Sequence, residues 1–462
     1  MGSNWEEVAL GNIFSVKHGF AFKGKYFTDN PQKTILVIPG NFAVAGGFQN
    51  PKPKYYNGPY SEEYVLMPGQ VVITMTDLSK ASDTLGYAAV IPDDGNIWLH
   101  NQRIGLVELI DESRADLGFI HYLLRTHEYR AWIIGSASGT TVKHTSPSRI
   151  EEYRCKIPPL PEQRAIAHIL GTLDDKIDLN RRMNRTLEAM AQALFKSWFI
   201  DFDPVVVNAL RAGNPVPEKF AQRAAHYRDN PDALGLPEDT LRQFPDCFQD
   251  SELGPIPEGW EIESLFALFT LIGGGTPKTS VPEYWNGDIP WFSVVDAPAP
   301  SDVYVIDTEK HVTHLGVDKS STKILPVGTT IISARGTVGK CALVGVPMAM
   351  NQSCYGVQGK EGISSLFTYF TIRFQVSDLQ RSGHGSVFNT ITRETFKSIS
   401  IPFPGKEITQ LFENSIKIFM EQIHANLFQT KILARLRDTL LPKLISGELR
   451  VPDAEKVVED VL

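Results

Sequence analysis

Two stretches of the chain carry the same ladder: Ile166, Leu173, Asn180, Leu187, Leu194 in one, and Phe412, Phe419, Asn426, Leu433, Leu440 in the other. Each places an apolar residue at every seventh position and an asparagine at its midpoint. That period belongs to a helix that buries one seam against a partner helix. The ladders keep one offset of about 246 residues, from Ile166 to Phe412, from Asn180 to Asn426 and from Leu194 to Leu440. The chain therefore reads as an internal duplication that includes a long helix. In an antiparallel pair the helix centres meet, which would set Asn180 against Asn426. A buried asparagine pair costs stability but fixes register, because a slip strands both amides against apolar neighbours. The alternative puts both on a solvated edge of the seam.

The rest of the sequence bounds what these helices join. At 462 residues, with 42% hydrophobic and 21% charged residues, the chain is that of a globular protein of two to four domains. No apolar run approaches the roughly 20 residues needed to cross a bilayer, and Met-Gly-Ser-Asn-Trp-Glu-Glu has no basic, apolar leader pattern, so a cytoplasmic protein with no membrane partner is expected. Cys155, Cys247, Cys341 and Cys354 lack paired spacing, which fits reduced structural thiols. The net charge of −8 is uneven. Residues 201–258 carry an acidic surplus of roughly six and residues 448–462 roughly three, so the remainder is near neutral and can meet a polyanion.

Along the chain, residues 1–155 hold short β-like runs such as Thr34–Ile38, Gln70–Thr74 and Gly86–Ile91, broken by Pro and Gly. Residues 156–200 switch to the helical period, with a second line of contacts at Leu170, Ile177, Asn184, Ala191 and Trp198. Residues 201–255 form an acidic connector, where Asp201-Phe-Asp-Pro204 stops the helix and short helices are expected to wrap over the surface. A second sheet-rich domain fills 256–402, a second long helix 403–447, and an acidic tail 448–462. Landmarks repeat between the halves: Trp5-Glu-Glu-Val with Trp260-Glu-Ile-Glu, His100-Asn-Gln102 with Met350-Asn-Gln352, and Ile157-Pro158 with Ile401-Pro402. Between them the contents diverge, Lys17–Phe27 having little in common with Ile272–Trp285. The fold class is α+β: two mixed, sheet-rich domains joined by two long helices that pair as an antiparallel coiled coil. About 36 residues per helix at about 1.5 Å rise would hold the domains roughly 50 Å apart at most. That matches one turn of duplex DNA or a little more.

Catalytic signatures fail when tested. The single Pro-Pro, in Ile157-Pro-Pro-Leu160, lacks the polar residue and the aromatic that an adenine methyltransferase uses to grip a flipped base. Ala334-Arg-Gly-Thr-Val-Gly-Lys340-Cys341 has Ala for the first Gly and Cys for the Ser or Thr of a nucleotide-binding loop. Gly273-Gly-Gly275 is no dinucleotide fingerprint, and His311 with His314 has no third metal ligand nearby in sequence. Trp5, Trp260, Trp285 and Trp291 read as core rather than as base-stacking platforms.

Ile157-Pro-Pro-Leu-Pro-Glu-Gln-Arg-Ala-Ile-Ala, followed by Leu173-Asp-Asp-Lys-Ile and Leu194-Phe-Lys-Ser-Trp-Phe, resembles the central conserved region of the specificity subunit of type I restriction-modification systems. Leu441-Pro-Lys-Leu-Ile-Ser-Gly-Glu-Leu resembles that family's distal conserved region, and Asp250-Ser-Glu-Leu-Gly stands before the second domain. Pro404-Gly-Lys-Glu407 departs from the fuller Leu-Pro-Glu-Gln form at the second helix start. The resemblance implies two target-recognition domains, each reading half of a split duplex DNA site. The helices would act as ruler and docking platform. It further implies two modification subunits that use S-adenosylmethionine to methylate adenine N6, and two restriction subunits that use ATP and Mg, in a phage-defence complex. The chain itself would hold no cofactor and no metal and would catalyse nothing. Two other readings remain open: specificity partner of a fused cutting-and-methylating enzyme, or a scaffold that does not bind DNA.

Candidate DNA-contacting residues are basic or polar positions in Gly-rich segments. They are Lys17, Lys23, Lys25, Thr140, Lys143 and His144 in the first half, and Lys278, Thr279, Arg335, Lys340, Ser386 and Asn389 in the second. Lys and Arg neutralise phosphates or pair with guanine edges; Asn and Thr suit adenine edges, sugars and thymine methyls. Gly139-Thr140 and Gly385-Ser386 stand at equivalent places before the two helices and could instead serve the fold.

Overall fold

The two ladders lie on helices Leu160–Phe199 and Lys406–Ser446 of a computed structural model that describes residues 5–44, 46–77, 79, 83–139, 142–299, 301–382 and 390–461. The second helix runs through Pro442 and stops at Ser446, where Gly447 takes a φ of 75° and Leu449 N–H returns to the Lys443 carbonyl at 3.0 Å. A left-handed glycine after the last turn is how a helix satisfies its final carbonyls. The chain divides into two units, Met1–Ile177 with Lys431–Leu462, and Asp178–Thr430. Each long helix contributes one part to each unit.

In the first unit a four-stranded antiparallel sheet has the order Phe14–His18, Ile104–Leu109, Val71–Thr74, Ala88–Val90. A second, mixed sheet has the order Phe27–Thr28, Tyr55–Tyr56, Thr34–Val37, Ile97–His100, Val65–Leu66, with Thr34–Val37 and Ile97–His100 parallel. Val71, Val72 and Ile73 are all buried, because this strand is covered on both faces. Helix Leu117–Leu123, capped by the Asp116 carboxylate accepting from Phe119 N–H, packs Phe119, Ile120 and Tyr122 against the seam residues Ile166, Leu170, Leu173, Leu433 and Leu440. The acidic tail adds helix Val451–Glu459, which buries Ala454 and Val458 in the same core.

The second unit repeats this construction. Its five-stranded sheet has the order Phe269–Gly273, Cys354–Gly359, Thr330–Ser333, Cys341–Val344, Tyr304–Val305. Parallel pairing recurs between Trp285–Phe292 and Ala349–Met350. Helix Ser365–Phe374, capped by Ser364, takes the place of Leu117–Leu123. Phe412, the first rung of the second ladder, is enclosed by Phe195, Trp198, Phe199 and Phe370, with ring centroids 5.2–5.9 Å away.

The repeated landmarks are paired strands. Glu6–Ala9 lies antiparallel to Arg154–Ile157, and Glu261–Ser264 to Ser400–Phe403, so each clasp closes a domain just before its long helix. Each landmark recurs because its partner strand does.

Two expectations are corrected. The connector does not merely wrap the surface: Phe202 takes a left-handed φ of 53°, the chain folds back into helix Asp203–Ala212, and Val205, Val206 and Val207 are fully buried in the second unit's core. Asp203, also buried, accepts from Ser197 Oγ at 2.7 Å and pairs with Arg223, which fixes this return. Second, Asn180 and Asn426 are buried at 1% and 3% exposure, which removes the solvated-edge reading, but they do not bond each other. Asn426 Nδ2 donates to Asn184 Oδ1 at 2.9 Å, and Asn180 Nδ2 donates to Gln429 Oε1 at 2.9 Å and Thr430 Oγ1 at 3.4 Å. At the ladder offset Asn184 is the counterpart of Thr430, so the Asn426–Asn184 and Asn180–Thr430 bonds are repeats of one another. The helices sit one turn away from direct asparagine-to-asparagine pairing.

Candidate nucleic-acid interface

Both units assemble the same loop end from chain segments far apart in sequence, using the same backbone bonds. In the first unit Phe20 N–H donates to the His100 carbonyl at 2.8 Å, Met75 N–H to that of Arg103 at 2.9 Å, and Thr145 N–H to that of Met75 at 3.0 Å. In the second, Gly275 N–H donates to the Met350 carbonyl at 3.0 Å, Ala334 N–H to that of Ser353 at 2.7 Å, and Ile391 N–H to that of Ala334 at 3.0 Å. These bonds equate Phe20 with Gly275, Arg103 with Ser353, Thr76 with Arg335 and His144 with Thr390.

The Asn-Gln landmark is the hub of each loop end. Asn101 Oδ1 accepts from Arg103 N–H at 3.1 Å, and Asn351 Oδ1 accepts from Ser353 N–H at 3.0 Å, so both asparagines build the same side-chain turn. A glycine crosses over each turn. A Cβ on Gly19 would collide with the Asn101 carbonyl oxygen, and one on Gly274 with that of Asn351, so only glycine permits this approach. The tip residues Gln102 and Gln352 are exposed.

The predicted site residues divide accordingly. His144 is exposed and Lys143 half-buried on a strand pairing with Thr76–Asp77, the His144 ring lying 3.1 Å from Thr76 Oγ1. Asp77 behind them is buried and accepts from the backbone N–H groups of Ser79, Thr84 and Leu85 at 2.6–3.0 Å. Burial raises its carboxyl, but the bonds from Ser79 and Thr84 outweigh this and hold it below the usual range. Lys17, half-buried, precedes the exposed His18 at the end of its strand. The first loop end thus holds His18, Phe20, Gln102, Arg103 and His144.

Lys23 and Lys25 are exposed but lie elsewhere, around the short helix Gly24–Tyr26 beside the edge of the mixed sheet, where the Lys25 ammonium stands 4.9 Å over the Tyr26 ring. In the second unit Arg335 and Lys340 both lie near the base of a turn closed by Ser333, whose N–H meets the Lys340 carbonyl at 2.9 Å. Both are exposed; Arg335 N–H reaches the Ser353 carbonyl at 3.2 Å, next to Gln352, whose Oε1 accepts from Thr276 Oγ1. Lys278 and Thr279 are exposed in the following turn, which Trp285 Nε1–H tethers through the Lys278 carbonyl at 3.2 Å. Thr140, Ser386 and Asn389 lie outside the described residues. Reasoning from sequence passed over Phe20, Gln102, Arg103 and Gln352. The available signal was the repeated Asn-Gln pair itself, read there only as framework.

No group of His, Cys, Asp and Glu that could hold a metal ion occurs among the described residues. His311 instead faces Asp307 at 3.0 Å, and Trp260 and Trp291 are buried in the second unit. Among the described residues no helix is long and apolar enough to cross a membrane.

The model of the type I restriction modification DNA specificity domain matches twice, over residues 2–189 and 257–437. The chain belongs to that family. It is therefore the specificity subunit of a type I restriction-modification system, the DNA-recognition member and not the catalytic one. The HindI specificity subunit of Haemophilus influenzae is 29% identical over 83% of this chain and 89% of its own length. The EcoR124I/EcoR124II specificity subunit of Escherichia coli is 34% identical over 31% of this chain and 37% of its own. The fold resembles that of the crystal structure of a type I restriction-modification S subunit from M. genitalium, with a TM-score of 0.56 at 15% identity over 96% of each chain. The two matched segments of this specificity subunit each include one loop end.

Proposed function

We propose that each loop end of this specificity subunit reads one half of an asymmetric, bipartite duplex DNA site. The recognition domains are 1–155 and 256–402, the conserved helices 156–200 and 403–447, and 201–255 the connector. The helices set the non-specific spacer and dock two modification subunits, which carry S-adenosylmethionine and methylate adenine N6. Two restriction subunits, working with ATP and Mg, complete the endonuclease in the cytoplasm. The observation that carries this reading is a backbone frame with three repeated bonds whose positions carry different side chains: exposed Arg103 against Ser353, exposed Phe20 against Gly275, and buried Thr76 against exposed Arg335. Different side chains on one frame suit two half-sites of different sequence, because base edges are distinguished by donor and acceptor patterns.

The test is to co-express the chain with its modification subunit and map methyladenine across the host genome by single-molecule sequencing. A split motif with a fixed gap is expected; no motif from an assembled complex overturns the reading. Inserting one helical turn at matched positions of both helices is expected to lengthen the gap and leave the half-site bases unchanged, since length resides in the helices and identity in the loop ends. Altered bases would sink that division of labour.

A further inference from the structure

We infer that Gln102 and Gln352 contact the sugar-phosphate backbone common to both half-sites, and that the residues around them read bases. The inference rests on the functional reading above and adds a division of roles within each loop end. Two domains that read different sequences share only what is the same in both half-sites, and the backbone is the same in every duplex. The Asn-Gln turn is what the loop ends share: one Asx turn, one glycine crossing and one exposed glutamine tip in each unit. The flanking positions are not shared.

Asn101 and Asn351 are spent on their own turns, so their identity follows from backbone geometry. The glutamines have no such duty. Gln102 makes no side-chain hydrogen bond among the described residues, and Gln352 uses only its Oε1, accepting from Thr276. In both, the amide NH2 remains to donate to an anionic oxygen. A rigid turn carrying one donor is suited to fixing register on the duplex, the part that phosphate contacts play. Arg335 and Lys340 in one unit, and Arg103 and His144 in the other, are then left to discriminate bases.

The experiment uses the assembled complex of this chain with its modification subunit, carrying Gln102→Leu, Gln352→Leu, Gln102→Glu or Gln352→Glu. Affinity is measured for the mapped site and for a duplex with both half-sites scrambled. Each leucine variant is expected to weaken both duplexes by the same factor, about 10–100-fold, as one lost hydrogen bond to a charged oxygen allows. The salt dependence should keep its slope, because a neutral amide releases no counterion. Each glutamate variant should weaken both duplexes further, by repulsion from phosphate. Because both side chains are exposed, melting curves should not move. In contrast, Arg335→Ala should change the ratio between the two duplexes.

A glutamine variant that changes this ratio, or alters the methylated motif, makes the residue a base reader and overturns the inference. Unchanged affinity for both duplexes makes the turn purely structural and overturns it as well. A wild-type complex that does not prefer the mapped site overturns the functional reading itself, which separates the two failures.

Discussion

Replacing Asp174 with alanine is expected to destabilise the unit of Met1–Ile177 and Lys431–Leu462 by about 3 kcal/mol, the low end of the cost of removing one partner from a buried charge cluster, because the Asp174 side chain is itself 25% exposed. Asp174 projects from the first long helix between two guanidiniums, Arg125 Nη1 at 2.9 Å and Arg437 Nη1 at 2.5 Å, and accepts from Tyr122 Oη at 2.9 Å. The Arg125 and Arg437 side chains are 3% and 14% exposed, so neither recovers bulk hydration when the carboxylate is lost. Burial pushes the Asp174 carboxyl up, and the two arginines outweigh it and hold it below the usual range. Its contribution is thus present above the unfolded carboxyl value and is lost as pH falls through the lower folded one.

The second unit answers with a weaker version of the same device, Glu188 on Arg373 at 2.7 Å with Arg373 donating to Tyr369 Oη at 3.2 Å. There burial prevails over the single arginine, and the Glu188 carboxyl is raised. Glu188→Gln should therefore cost less than Asp174→Asn. Urea titrations of the variants measure this; a loss below about 1 kcal/mol for Asp174→Ala would show a surface-like pair instead.

How much of this could be read in the sequence depends on whether the signal is local. The long helices were legible because a seven-residue ladder states both the element and its buried face, and Ile166, Leu173, Phe412, Leu433 and Leu440 are indeed buried. The clasp was legible as repeated landmarks, although nothing in Trp5-Glu-Glu-Val says that its partner is Arg154–Ile157. Asn180 and Asn426 were legible as special but not their partners. Equivalence in a repeat does not make two residues neighbours, and the seam settles one turn away, on Asn184 and Thr430. The loop ends were the least legible. Each gathers side chains from four or more segments, none has a period, and an exposed lysine at a sheet edge, such as Lys25, looks the same in sequence as one at the loop end. What marks the candidate site is a backbone coincidence, Gly19 over Asn101 and Gly274 over Asn351, that appears only in the folded chain.

Acid is expected to unfold the first unit through two histidines that the fold keeps neutral. Burial pushes His100 down to about 4, helped by Lys17 and His18 and opposed by its 2.8 Å contact with the Ile104 carbonyl. Burial likewise pushes His121 down to about 3, helped by Arg125 and Arg437 and opposed by Asp174. An unfolded histidine titrates near 6.5, so below that pH the unfolded chain binds two protons that the folded unit refuses. Stability therefore falls with pH from about 6.5 towards the folded values, by about 1.4 kcal/mol per histidine per pH unit, or about 5 kcal/mol for the pair by pH 4.5. Hydrogen exchange at the Ile104–Leu109 amides follows this unit apart from the other. His121→Asn should reduce the pH slope of their protection by about one proton while lowering protection at neutral pH, since Nε2 lies 3.2 Å from Arg125 Nη1. Slope and offset are separate readouts, so a destabilised variant still reports the proton count. An unchanged slope would mean that His121 takes up its proton in the folded state, and the acid sensitivity would then have to come from the Asp174 cluster beside it.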